Sequence, residues 1–189
     1  ANRLRLRVSA DAAKAAIDAG RNQYPPGPGV PELLDAISVH QKRFYGLEVD
    51  PRSQVLVTVG ATEAIFSTIL ALVQPGDEVV TFEPYYDSYA ASIALAGGVR
   101  RTVPLRFPDW SFDEGSLRTT FSDRTRMVLL NTPHNPTGKV FSRSEIDLIC
   151  RFARERGAWV VTDEVYEHLT FGGADHICVA SLPGMWDHT

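Results

Sequence analysis

Cysteine, lysine, long apolar runs and clustered positive charge are all scarce in this sequence, and each shortage removes a class of protein. Two cysteines, Cys150 and Cys178, in 189 residues cannot build the disulfide framework of a small secreted domain, and neither belongs to a CxxC pair. A reducing, cytoplasmic setting is the default for such usage. No apolar run approaches the roughly 18 residues needed to span a bilayer. The opening Ala-Asn-Arg-Leu-Arg also lacks the apolar core of a signal peptide, so a soluble protein with no membrane partner is expected. Nineteen Lys plus Arg against 23 Asp plus Glu leave a net charge of -4, without the dense basic block of a nucleic-acid surface. Arg3, Arg5 and Arg7 alternate with leucine and read as an exposed strand or a ragged terminus. No residue is assigned to a metal.

The balance that remains, 44% hydrophobic and 22% charged, is that of one globular domain. An alanine-rich helix is expected from Ala10 to a C-cap at Gly20. The proline- and glycine-rich loop 24–29 follows, and then a helix from Pro31 to about Phe44 that buries Leu33, Leu34 and Ile37. Beyond Asp50 the pattern changes. Short apolar runs at Val55–Val59, Glu78–Phe82, Val99–Leu105, Met127–Leu130 and Trp159–Thr162 alternate with helical stretches at about 62–73, 86–96, 113–120 and 142–156. This alternation predicts an α/β fold, a mostly parallel sheet between two helical layers, with strands buried on both faces. Ligands of such sheets gather at the carboxyl ends of the strands, so those ends are where chemistry is sought.

Four strand ends carry notable residues. Gly60-Ala61-Thr62-Glu63-Ala64 joins a strand directly to a helix, an arrangement that offers free N–H groups and a favourable dipole to a phosphate. Taken alone, the same turn reads as a tight glycine bend with Thr62 as N-cap. Glu83-Pro84-Tyr85-Tyr86-Asp87-Ser88-Tyr89 sets three aromatic rings at one edge, and one of them could cover a planar heterocycle. Tyr85 and Tyr89 read as packing on the neighbouring loop. Asn131-Thr132-Pro133-His134-Asn135-Pro136-Thr137-Gly138 is a stiff loop able to hold an amide at fixed geometry, with His134 structural rather than a general base. Asp163-Glu164-Val165-Tyr166 puts a carboxylate after a buried strand, where it needs a cation or a donor, or else serves as an N-cap. A helical turn there would bring Asp163 and Tyr166 to one face, and Glu164 reads as solvated or salt-bridged.

Together these four loops, in this order and spacing, resemble the fold-type-I pyridoxal-5'-phosphate (PLP) enzymes, above all the class I/II aminotransferases of the kynurenine, methionine and N-succinyldiaminopimelate kind. The resemblance runs from about Asn22 to the end of the chain. It implies a PLP-binding large domain over 31–189, preceded by an N-terminal arm and helix over 1–30. It implies that Ala61 and Thr62 hold the cofactor phosphate, that Tyr86 stacks on the pyridine ring and that Asn135 and Tyr166 bind its 3'-oxygen. Asp163 would pair with the ring nitrogen and keep it protonated. It also implies a homodimer in which Tyr24 reaches the partner subunit's phosphate, although the residues themselves equally allow Tyr24 to pack on its neighbouring prolines. Amino acids and 2-oxo acids would be the substrates.

The match breaks at lysine. These enzymes bind their cofactor covalently through a lysine some tens of residues beyond the Asp-x-x-Tyr loop, whereas this chain has only Lys14, Lys42 and Lys139. The expectation is a domain incomplete at its C-terminal side, without the small domain, and a polypeptide inactive by itself. A PLP-dependent carbon–sulfur β-lyase and a non-catalytic PLP-binding regulatory module are the alternatives.

Overall fold

The computed structural model describes residues 2–189, with side chains from Arg7 onward. Helix α1 spans Asn2–Asp18 and closes as Gly20 N–H and Arg21 N–H reach back to the carbonyls of Ile17 and Ala16. The expected start at Ala10 is corrected, because the Arg3 to Arg7 stretch continues the helix instead of forming a strand. Arginine and leucine are both good helix formers, and their two-residue alternation finds no sheet edge to pair with. Helix α2, Pro31–Tyr45, opens with proline at its first turn and ends at the left-handed Gly46. It buries Leu34 fully, but Leu33 is 43% exposed and Ile37 only partly covered, so its apolar contact is narrower than expected.

Helix α3 (Gly60–Leu72), strand β1 (Glu78–Glu83), α4 (Asp87–Leu95), β2 (Val99–Pro104), α5 (Glu114–Thr120), β3 (Thr125–Asn131), α6 (Arg143–Glu155) and β4 (Trp159–Asp163) follow in alternation. Among the described residues the four strands form one parallel sheet in the order β2-β1-β3-β4. Alternate side chains face opposite layers. Val80, Phe82, Val128, Leu130 and Val160 pack with Leu117 of α5 and Ile146, Ile149 and Phe152 of α6. Val79, Met127 and Leu129 pack with Ile65 and Ile69 of α3 and Tyr89 and Ile93 of α4. Two dry cores back to back therefore hold the sheet between helical layers, as the apolar runs predicted.

Two strand expectations change. Residues 55–59 form no strand among the described residues. Val57 N–H bonds the Pro28 carbonyl, while Leu56 and Val59 are 66% and 90% exposed. An extended segment becomes a strand only with a neighbour to complete its ladder. Gly29, at φ +123°, fits beside this segment because a Cβ there would lie 2.8 Å from Val57. Strand β2 is an edge and is mostly exposed, with Arg100 stacked over the Tyr85 ring and Arg101 3.9 Å from the buried carboxylate of Glu78. Two short 3-10 turns, Val179–Ser181 and Trp186–His188, end the chain. No helix among the described residues is long and apolar enough to cross a membrane.

Helix α6 begins with a capping box in which the Ser142 hydroxyl accepts from Glu145 N–H and the Glu145 carboxylate accepts from Ser142 N–H. This pair satisfies two helix-end donors at the base of the longer-range packing on β4. Replacing Ser142 by Ala is expected to lower stability by about 1 kcal/mol, read as a reduced urea midpoint with unchanged slope.

Candidate active site

At the carboxyl ends of β1, β3 and β4 lies a cleft of about 180 Å³ lined by Ala61, Thr62, Ile65, Tyr86, Tyr89, Asn131, Asn135, Asp163, Val165 and Tyr166. Six of the seven sequence-assigned positions meet there: Ala61, Thr62, Tyr86, Asn135, Asp163 and Tyr166. Tyr24 does not, because it stands fully exposed on the loop before α2.

Gly60 sets one wall. Its φ of +79° turns the chain sharply into α3, and Val59 at the cap position supplies no side-chain acceptor. The first-turn N–H groups of Ala61 and Thr62 therefore have no intrahelical partner and lie at the positive end of the helix dipole. Thr62 is thus not the N-cap that the isolated motif also allowed. Tyr86, at the cap of α4, also lines the cleft, keeps 40% of its surface exposed and meets the Tyr89 ring edge-on at 5.8 Å.

Asp163, half-buried at the end of β4, lines the cleft as well. One carboxylate oxygen accepts the Tyr89 hydroxyl at 2.6 Å, and the other accepts Val165 N–H at 3.2 Å. Burial, and then the hydrogen bond to Asp163, push the Tyr89 phenol far above its ordinary range, so it remains a donor. Tyr89 was read from the sequence as mere loop packing; its three-residue spacing from Tyr86 on one helix was the available signal. Asn131 was likewise left without a role. Its buried amide donates to the Asp163 carbonyl at 2.9 Å and accepts Asn135 N–H at 2.6 Å, which fixes the loop carrying Asn135. A polar amide closing an otherwise apolar strand was the sign of it. After Asp163 the chain makes a turn over 165–168 instead of a helix, and Tyr166 still reaches the cleft.

The neighbouring polar residues are structural, as expected. Glu164 is paired with His176 at 3.1 Å. His134 is buried, and its Nδ1 lies 2.8 Å from the Thr137 hydroxyl. The lysines lie elsewhere: Lys139 is bound to Glu145 at 2.8 Å, Lys42 to Glu48 at 2.8 Å and Lys14 lies beside Asp11.

The cleft thus offers helix N–H groups, an aromatic face, an amide, a phenol and a hydrogen-bonded carboxylate, and the chain that forms it matches a known family model. The model described as aminotransferase class I and II matches residues 1–186. The chain belongs to the class I and II aminotransferase family. Enzymes of this family depend on PLP. The chain is 49% identical over 181 residues to a probable N-succinyldiaminopimelate aminotransferase of Mycobacterium tuberculosis, covering 94% of this chain and 45% of the relative. It is 41% identical over 192 residues to rat (Rattus norvegicus) kynurenine–oxoglutarate transaminase 3, covering 96% and 42%. The solved structure of the M. tuberculosis N-succinyldiaminopimelate aminotransferase superposes with a TM-score of 0.90 over 93% of this chain and 46% of that one. The chain thus spans about half the length of the curated relatives it matches.

Burial first, and then the charge of Lys139, push the His134 imidazole down from 6.5 to about 4, against a hydrogen bond that the ring N–H donates to the Pro84 carbonyl and that favours the charged ring. Between those values the unfolded chain binds more protons than the folded one, so stability falls as pH drops from 6.5 to 4 and this contribution levels off below. A loss of up to about 3 kcal/mol is expected across that window, at about 1.4 kcal/mol per unit of pKa difference. Urea unfolding at stepped pH should show it, and a His134→Gln variant should lack it.

Proposed function

We propose that the protein transfers an amino group from an amino acid to a 2-oxo acid with PLP held in the strand-end cleft. The observation that carries this reading is that the first turn of α3, the half-exposed Tyr86 ring and the hydrogen-bonded carboxylate of Asp163 line one cleft. That donor set fits a flat, phosphorylated, basic ring. The bound cofactor supplies a protonated ring that withdraws electrons from the substrate's α-carbon.

Each residue then has a defined task. Ala61 and Thr62 hold the phosphate through their N–H groups, and Tyr86 covers one ring face. Asn135 and Tyr166 donate to the 3'-oxygen. Asp163 accepts the ring N–H and keeps its proton in place, while Tyr89 and Val165 N–H hold the carboxylate in position. Residues 31–189 act as the cofactor-binding domain and 1–30 as an arm. The full exposure of Tyr24 suits a residue that completes the site of a second subunit in a homodimer. Two buried, unpaired cysteines suit a reducing, cytoplasmic setting.

In the full-length protein, Asp163→Asn is expected to lower kcat by about two to three orders of magnitude, the scale of losing one preorganised electrostatic contact. Tyr89→Phe should cost about tenfold, near the worth of a hydrogen bond to a charged group. Near-wild-type transamination by the Asp163 variant would sink the assignment. Since none of Lys14, Lys42 and Lys139 lines the cleft, the 189-residue chain by itself should show no turnover in a coupled 2-oxoglutarate assay.

A further inference from the structure

Outside the cleft, the turn after β4 meets the C-terminal half of α2 in a cluster of two imidazoles and a carboxylate. His40 Nε2 lies 3.0 Å from His168 Nε2 and 3.4 Å from Glu167 Oε1, and His168 Nε2 lies 3.8 Å from the same oxygen. A tetrahedral ion bound at about 2.0–2.1 Å by histidine and carboxylate ligands holds them about 3.3 Å apart. The three observed edges straddle that separation. We propose that His40, Glu167 and His168 form a site for a divalent transition metal of the zinc class, with water completing the coordination.

The chemistry of the donors selects this class. Two imidazole nitrogens with one carboxylate suit zinc and its neighbours, whereas calcium and magnesium require oxygen ligands throughout. Without an ion, the two facing nitrogens can share only one proton between them, so one tautomer must be matched to the other. A cation instead takes a lone pair from each. Glu167 is already oriented for that role, because its second oxygen accepts the Tyr45 hydroxyl and leaves Oε1 toward the histidines. Side-chain exposures of 30% for His40, 22% for Glu167 and 50% for His168 leave the cluster open to an ion from solvent. None of the three lines the cofactor cleft, so the proposal stands apart from the transaminase reading.

The test uses the full-length protein stripped of cofactor, whose own aldehyde and phosphate would bind metal, and dialysed against chelator. Titration with zinc sulfate by calorimetry should give one equivalent per chain, and cobalt(II) should give the intense visible absorption of a tetrahedral site. His40→Ala and His168→Ala should each abolish stoichiometric binding. Tyr45→Phe should weaken it by about 10- to 100-fold, the usual cost of losing a partner that orients a ligand. His188→Ala, which alters a histidine outside the cluster, should bind as the wild type does. His168 is half exposed, so its variant keeps the fold, and circular dichroism checks this. Wild-type protein that takes up no zinc would reduce the cluster to a hydrogen-bonded histidine pair. Binding of unchanged affinity in both histidine variants would equally overturn the proposal.

Discussion

Asp163 is bonded at both ends of the residue, and the site depends on those bonds. Its carbonyl accepts the Asn131 amide at 2.9 Å and Thr132 N–H at 3.1 Å, which locks the end of β4 to the end of β3. Its carboxylate accepts the Tyr89 hydroxyl and so reaches α4 across the face of the sheet. A single residue thereby joins three elements that are distant in sequence. A polar knot at the rim of two dry cores is stable because every member is satisfied, and leaving one partner unmade would cost more than the bond contributes.

The remaining walls follow from parallel topology. Each strand must return through a crossover helix, so the strand ends that carry Tyr86, Asn135 and Asp163 all open on one side. Register does the fine placement: Asn131 pairs with Asp163 and Glu83 with Pro104, which levels the strand ends around the cleft. Gly60 then aims the start of α3 at the same opening. Most polar atoms of the site come from the ends of rigid elements or the turns that follow them.

The turn after β4 faces two ways. Tyr166 enters the cleft, while Glu167 and His168 turn toward α2 and meet His40. One short segment thus carries the cofactor contact and the metal ligands proposed above. Tyr45, at the last turn of α2, ties Glu167 to that helix and steadies the segment for both roles.

What the sequence determined by itself was whatever depends on local order. The alternation of apolar runs and helical stretches defined β1 to β4 and α3 to α6 within a few residues, because the central strands β1 and β3 are buried and demand largely apolar runs, while the exposed edge β2 does not. The loop motifs were legible because proline fixes the backbone, glycine permits turns that other residues cannot make, and a polar residue directly after a buried strand stands out where it is. Tertiary structure decided what depends on a neighbour. The 55–59 run stayed outside the sheet for want of a strand beside it, the arginine-rich start became helix, and Tyr89 and Asn131 acquired their tasks only once Asp163 was brought to them. The histidine cluster was invisible in the same way, because His40 and His168 are 128 positions apart and only folding brings them to 3.0 Å.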